Sequence, residues 1–278
     1  MTLESKLALL DTRLRELGSV LVAFSGGADS AFLLAAAARA LDPDNVVAAT
    51  AVSASLPAHE LAAAAEFAAS LGIRHVTPRT DEMSRDGYRA NAGDRCYFCK
   101  AELLDVLTPL ADSFGLPAVA TGTNADDVVA GFRPGIRAAA ERGAITPLRD
   151  AGLTKQEIRE ASRDWGLVTW DKPAAACLSS RIAYGIEVTP QRLARVERAE
   201  TVLRSALHDA GIPVRNLRVR DLGDRARVEV DHEYVDAVTG RLRTIAELLT
   251  DFAEIEVDPR GFRSGAMNEL LAEPQRWR

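Results

Sequence analysis

Two groups of residues in this chain have the types and spacing to do chemistry. The first is Ser25-Gly26-Gly27-Ala28-Asp29-Ser30. Adjacent glycines let a backbone turn tightly and come close to an anion. The serines add hydroxyl donors, and a helix starting here would aim free N–H groups and its positive dipole end at a phosphate. No lysine stands where a Walker A loop needs one, so the loop does not read as a γ-phosphate-transfer site. Asp29 would repel phosphate unless Mg²⁺ lay between them, which makes metal bridging its natural role. The second group is the three cysteines, Cys96, Cys99 and Cys177. Their number is too small and odd for a disulfide scaffold. If Cys-x-x-Cys is helical, Cys96 and Cys99 share a face and both sulfurs can meet one metal. Zinc would want a fourth ligand. The alternatives are a redox pair or cysteines buried as small hydrophobes.

Weaker signals surround these two. Asn124, Asp126 and Asp127 follow an expected strand end, where ligands of open α/β sheets bind. They suit either Mg²⁺ and ribose or the capping of the next helix. Arg133 and Arg181 are candidates to clamp a phosphate or carboxylate, against the plainer reading of surface salt bridges. Arg215, Arg218, Arg220, Arg225 and Arg227 crowd 13 residues of an otherwise acidic chain. Strand alternation places Arg218 and Arg220 on one face and Arg225, Arg227 and Glu229 on another. An anion pocket and a solvated sheet edge both fit that cluster. His59, His75, His208 and His232 sit in no motif and read as solvated or structural.

These groups need elements to hold them. Val20–Phe24 is a short apolar run, as expected of a parallel strand buried on both faces. Ser30–Leu41 reads as a helix, Asn45–Val52 as a strand, Pro57–Leu71 as a helix with proline at its start and glycine past its end. Ile73–Thr77 and Pro117–Thr121 complete the strands, with a helix over Tyr97–Leu110 between them. This order predicts an α/β fold with a doubly wound parallel sheet. The pattern then changes to a smaller α+β module: a helix over Pro190–Ala210, strands at Asn216–Asp221 and Arg225–Val230, a helix near Thr239–Thr250 and a strand at Ala253–Val257. The expected domains are residues 1–186 and 187–278.

The 278 residues are 47% hydrophobic and 27% charged, which fits an ordinary globular protein with a core. No apolar run reaches the roughly 18 residues of a membrane helix. Met1–Glu16 reads as an amphipathic helix and not a signal peptide, so a cytoplasmic protein with no membrane partner is expected. A net charge of −6 argues against a nucleic-acid partner.

Phe24–Ser30 resembles the PP-loop of the adenine-nucleotide α-hydrolase superfamily, whose members split ATP into AMP and pyrophosphate. Further segments narrow the likeness: Arg95-Cys96-Tyr97-Phe98-Cys99-Lys100, Gly122-Thr123-Asn124-Ala125-Asp126-Asp127, Arg133-Pro134-Gly135, Trp170-Asp171-Lys172-Pro173 and Ala176-Cys177-Leu178-Ser179-Ser180-Arg181. In this order, and on to Gly261-Phe262-Arg263-Ser264-Gly265, they resemble the LarE family of sulfur transferases over nearly the whole chain. The resemblance implies that a carboxylate of a pyridinium dicarboxylate mononucleotide is adenylated and that sulfur then displaces AMP. It implies ATP on Ser25, Gly26, Gly27, Asp29, Ser30, Gly122, Thr123 and Asn124, with Mg²⁺ on Asp29, Asp126 and Asp127. It implies a small-molecule nucleotide substrate held by Arg133, Arg181, Glu200, Arg218 and Arg220, with Cys177, Asp29 and Arg181 in catalysis, and a homo-oligomer, a hexamer among the expectations. One branch of the family consumes the sulfur of a cysteine at the Cys177 position; the other holds a [4Fe-4S] cluster on three cysteines. Cys96, Cys99 and Cys177 match the second, and three thiolates would leave one iron open for an extra sulfide. A tRNA thiolase and an NAD synthetase-like ligase are the alternatives within the superfamily.

Overall fold

The computed structural model describes residues 1–129, 134–173 and 176–271. They divide into two compact units, one of residues 1–82 and 94–175, the other of residues 83–93 together with the chain from 176 onward.

The first unit carries β1 (Val20–Ala23), β2 (Val46–Ala49), β3 (Arg74–Val76) and β4 (Val119–Thr121), all parallel in the order β3-β2-β1-β4. Each residue of β1 and β2 is buried, because each face of the sheet has its own core. Val20, Val22, Val46 and Ala48 pack with α1 (Leu3–Leu17), α2 (Ala28–Ala40) and α3 (Ala58–Ser70). In the chain the short α4 (Asp86–Arg89) comes next and belongs to the other unit. Leu21, Ala23, Val47 and Ala49 pack on the opposite face against Leu104, Leu107 and Ala111 of α5 (Arg95–Ser113). Alternate residues of one apolar run thus feed two cores, which is why these strands read as unbroken hydrophobic stretches. Four further helices follow: α6 (Ala125–Val129), α7 (Pro134–Glu141), α8 (Pro147–Asp150) and α9 (Lys155–Asp164). The expected doubly wound α/β fold is the observed one.

The second unit holds α10 (Pro190–Asp209), an antiparallel hairpin of β5 (Leu217–Asp221) and β6 (Arg225–Val230), the short helices α11 (Val235–Thr239) and α12 (Leu242–Leu248), and β7 (Glu254–Val257) parallel to β6. The helix expected near Thr239–Thr250 is α12, and the short α11 before it, ending at Gly240, is not among the expected elements. Residues 83–93 are bound in by Asn91, which is fully buried at φ +51°, a region Asn tolerates better than most residues. Its Nδ2 donates to the carbonyls of Ile182 (3.3 Å), Ala183 (2.8 Å) and Ile186 (2.8 Å). No helix among the described residues is long and apolar enough to cross a membrane.

Asp221 knits this unit together from the end of β5. Its carboxylate is fully buried and accepts from Arg192 Nη1 (2.8 Å), Arg195 Nε (2.8 Å) and the Gly223 N–H (3.0 Å). Removing one partner of a buried ion pair leaves the other uncompensated. Asp221→Ala is therefore expected to cost about 3 kcal/mol of stability in equilibrium urea unfolding. A loss below about 1 kcal/mol would show that both arginines simply re-solvate.

Candidate active site

The phosphate loop leaves the C-terminal end of β1, at the edge of a parallel sheet where ligands of this fold class bind. Its entry is fixed by a relay across three strands. Thr50 Oγ1 donates to the Phe24 carbonyl at 2.7 Å, so its hydroxyl proton is used and it accepts from His75 Nε2 at 2.8 Å. Burial pushes the His75 pKa down; this histidine is structural, as one of the sequence readings has it. Gly26 then takes φ +72°, a conformation open to glycine.

Inside the loop, Ser30 Oγ lies 3.0 Å from Ser25 Oγ and 3.1 Å from the Gly27 carbonyl. The two hydroxyls thereby brace the turn. Gly27 is the N-cap of α2 and supplies no side-chain hydrogen bond to the helix start, so the N–H groups of the first turn stay available to an anion. Gly122 is needed for clearance: a Cβ there would sit 2.8 Å from the Ser30 backbone nitrogen. The segment after β4 can lie against the phosphate helix only because residue 122 has no side chain.

Asp29 is the unbalanced member of the loop. Its Oδ2 accepts from Asn124 Nδ2 at 3.2 Å, while its buried Oδ1 has no hydrogen-bond partner among the described residues. Burial raises the Asp29 pKa, and Asp127 adds to that, against the pull of Lys155. A carboxylate oxygen buried without a donor is a hard-cation ligand in waiting. Asn124, Asp126 and Asp127 make the capping contacts that the sequence left open. Asn124 Oδ1 accepts from the Asp127 N–H (3.1 Å), Asp127 Oδ2 from the Asn124 N–H (3.2 Å), and Asp126 Oδ2 from the Lys155 N–H (2.8 Å). Thr123 Oγ1 lies 3.2 Å from Thr121 Oγ1.

The cation that the loop itself lacks comes from elsewhere in the chain. Lys172 Nζ sits 3.0 Å from the Gly26 carbonyl and 2.6 Å from Glu60 Oε2. Burial would raise the Glu60 pKa, yet hydrogen bonds from His59 and Lys172 hold it at about 2. Arg159 Nη2 steadies the same stretch through the Lys172 carbonyl (2.8 Å). Sequence reasoning set Lys172 in a recognised segment but gave it no part in the loop, because a pairing 146 residues apart carries no local signal.

Cys96 and Cys99 lie one turn apart at the start of α5, Cys96 exposed and Cys99 half-buried. Buried Glu82 comes within 4.0 Å of the Cys99 sulfur and accepts from Thr80 Oγ1 at 3.1 Å. Burial lowers the pKa of neighbouring Lys100, with the charges of Cys99 and Asp127 opposing. Cys177 belongs to the second unit, half-buried, with its sulfur 2.9 Å from Ser179 Oγ. Among the described residues no three His, Cys, Asp or Glu side chains gather as a metal-holding group.

The second unit buries Arg218 and Arg220 of the arginine cluster. Register pairs Arg218 with Glu229 and Arg220 with Arg227, and residues opposite one another in an antiparallel pair share a face. The expected separation of Arg218 and Arg220 from Arg227 and Glu229 is thus corrected: the hairpin brings them to one side. Arg218 and Arg220 are 7% and 5% exposed and Glu229 is 2% exposed, whereas Arg215 and Arg225 are solvated. Arg225 and Arg227 instead pair with Glu256 on β7. Arg220 Nη2 bonds Glu229 at 2.6 Å, and Nη1 reaches the Ser180 carbonyl at 3.2 Å. The Arg220 Nε is buried without a hydrogen-bond partner among the described residues. Arg218 lies over the Phe262 ring, and burial together with the Arg181 charge pushes its pKa down to about 10. Arg181 and Glu200 form a buried two-point ion pair, Nε to Oε1 at 2.9 Å and Nη2 to Oε2 at 3.0 Å. Arg133 lies outside the described residues.

No family model matches the chain. Curated relatives do. An uncharacterized protein of Synechocystis is 41% identical, covering 98% of this chain and 100% of that protein. The argininosuccinate synthase of Halobacterium salinarum is 30% identical over 52% of this chain and 39% of its own length. The pyridinium-3,5-bisthiocarboxylic acid mononucleotide synthase of Lactiplantibacillus plantarum is 34% identical, covering 99% of this chain and 98% of that enzyme. Likeness of that extent, running through both chains from end to end, shows that this chain is an enzyme and belongs to the LarE family.

Proposed function

We propose that this enzyme uses ATP to convert the carboxylates of pyridinium-3,5-biscarboxylic acid mononucleotide into thiocarboxylates, for a nickel-pincer nucleotide cofactor. The name of the Lactiplantibacillus relative supports the product. The observation that carries the chemistry is the Asp29 oxygen buried without a partner inside a loop of free helix N–H groups. That combination suits a nucleotide phosphate bridged by a divalent cation.

In the first half-reaction a substrate carboxylate oxygen attacks the α-phosphorus of ATP, and the bond to pyrophosphate breaks. Ser25, Gly26, Gly27, Ser30 and the segment Gly122–Asn124 would seat the phosphates and nucleoside. Asp29 would hold Mg²⁺, whose charge offsets that of the phosphates. Asp126 and Asp127 remain candidates for the same ion from its outer side. In the second, sulfur attacks the acyl carbon and the C–O bond to AMP breaks. Arg218 and Arg220 are assigned the substrate phosphate: the charges of Arg181 and Arg220 help lower the Arg218 pKa, and the buried Arg220 Nε has no hydrogen-bond partner among the described residues. Arg133 would join them.

Cys96, Cys99 and Cys177 are assigned an iron–sulfur cluster on the chemistry of the donors, since thiolates hold such clusters. When bound, the cluster would supply the transferred sulfide. The carboxy-terminal module from residue 187 is assigned the substrate and assembly of a homo-oligomer, and the enzyme the cytoplasm.

Three measurements test this. Asp29→Ala should cut Mg²⁺-dependent pyrophosphate release by about a hundredfold or more with the fold intact; release at the normal rate would sink the loop assignment. Replacing Arg218 and Arg220 with alanine should raise the KM for the mononucleotide about tenfold or more, the value of a lost charged hydrogen bond, and leave the KM for ATP nearly unchanged. Equal rises in both would make the arginines structural. Protein purified without oxygen should contain iron and acid-labile sulfide, lost in Cys96→Ala, Cys99→Ala and Cys177→Ala alike. Conversion of Cys177 to dehydroalanine during turnover, seen as a loss of about 34 Da, with full activity in Cys96→Ala, would instead make Cys177 the consumed donor.

A further inference from the structure

We infer that the Arg181–Glu200 pair is a positioning device for Cys177, and that its task is to hold the cysteine's backbone and not to grip substrate. The inference rests on the proposal that Cys177 takes part in sulfur transfer.

The geometry leaves little else for Arg181 to do. It is 3% exposed, and all three of its guanidinium nitrogens are engaged. Nε and Nη2 meet the two oxygens of Glu200, while Nη1 donates to the carbonyls of Ala176 and Cys177, the latter at 3.0 Å. Nη1 also lies 3.3 Å from Ser180 Oγ, which itself donates to the Cys177 carbonyl at 2.7 Å. The backbone on which the Cys177 side chain is carried is therefore pinned on its carbonyl side by two groups of the following turn.

Glu200 anchors that arrangement to the sheet. Besides the guanidinium, its Oε1 accepts from the Val219 N–H of β5 at 3.0 Å. An unbroken chain of charged hydrogen bonds thus runs from β5, through Glu200 of α10 and Arg181, to the carbonyl of Cys177. Arg220 repeats the device one residue on: neutralised by Glu229, it holds the Ser180 carbonyl. Each buried cation has a carboxylate on one side and a backbone carbonyl of the cysteine loop on the other. Two arginines of the expected substrate set therefore spend donors on the loop itself.

The requirement behind such a device is geometric. The transferred sulfur, placed through Cys177 as ligand or as donor, must come within about 3–3.5 Å of the atom it joins, and a misplacement of about 1 Å costs about a hundredfold in rate. A planar two-point fork fixes both distance and plane, which a lysine ammonium does not.

The test separates placement from grip. Glu200→Gln keeps size and one acceptor but turns an amide toward the guanidinium. With ATP, Mg²⁺, sulfide and the dicarboxylate mononucleotide under anaerobic conditions, its kcat for thiocarboxylate formation should fall by about a hundredfold. The KM for the mononucleotide should stay within about twofold, and single-turnover pyrophosphate release should keep its normal rate. Arg181→Lys should behave alike, and Glu200→Asp, which keeps the carboxylate, should recover part of the loss. A KM raised about tenfold with kcat unchanged would overturn the inference and make the pair a substrate clamp. Parallel loss of both half-reactions, in step with a loss of folded protein, would overturn it in favour of a purely structural role. Normal sulfur transfer by Cys177→Ala, run alongside, would overturn it differently: the reading of Cys177 would fall, whatever the Glu200→Gln split shows.

Discussion

A guanidinium can be buried only if something stands in for the water it loses, and the second unit is organised around meeting that demand. Arg181 has Glu200, Arg220 has Glu229, and Arg192 and Arg195 share Asp221. Asp221 and Glu229 sit on the paired strands β5 and β6, and Glu200 on α10 bonded to the Val219 N–H of β5. Arg181 and Arg220 in turn donate to backbone carbonyls of the loop from Ala176 to Arg181, and Arg195 to that of Gly223. A stretch with little regular structure is thereby tied to the most rigid part of the unit. The cost of burying charge is offset by order in a loop that would otherwise have many shapes. Arg218 donates to the Leu217 carbonyl at 2.8 Å and lies over the Phe262 ring, and burial with the charge of Arg181 lowers its pKa against the pull of Glu200.

The first unit sets a different problem, that of a carboxylate buried in a loop with no lysine of its own. Its loop lacks its own lysine, so the nearest cation reaches in through Lys172 and is shared between Glu60 and the Gly26 carbonyl. Asp29 is left with one oxygen hydrogen-bonded and one without a donor. A loop finished in every hydrogen bond would have nothing left with which to hold a ligand. The imbalance at Asp29 is local to one oxygen, beside loop hydroxyls that bond each other.

Much of this was readable beforehand, and the boundary of legibility has physical causes. The apolar run at Val20–Phe24 followed by two glycines told both the strand and the turn, because each depends only on neighbours in sequence. The strand ends and the long helices were legible for the same reason. Three things were not. The face shared by Arg218, Arg220, Arg227 and Glu229 depends on hairpin register, which the turn at residues 222–224 sets and alternation within one strand cannot report. The hold of Lys172 on the Gly26 carbonyl joins residues 146 apart, and no local pattern reports it. Gly122 was singled out as a ligand contact, yet its visible duty is clearance beneath the Ser30 backbone. The capping roles of Asn124 and Asp127 stood from the outset as one of two readings, since short polar side chains after a strand suit both.

The attachment of residues 83–93 to the second unit has a consequence for how the chain is made. Asn91 is synthesised 91 to 95 residues before the carbonyls it must hold. At ribosomal speeds of about 5–20 residues per second, it leaves the tunnel roughly 5–20 seconds ahead of them. During that interval residues 83–93 exist without the carbonyls that Asn91 holds in the folded unit. The carboxy-terminal part, made alone, would in turn lack the amide that gathers Ile182, Ala183 and Ile186. The enzyme is thus a product of vectorial synthesis that completes itself late, and it cannot be divided into two cassettes by a single cut.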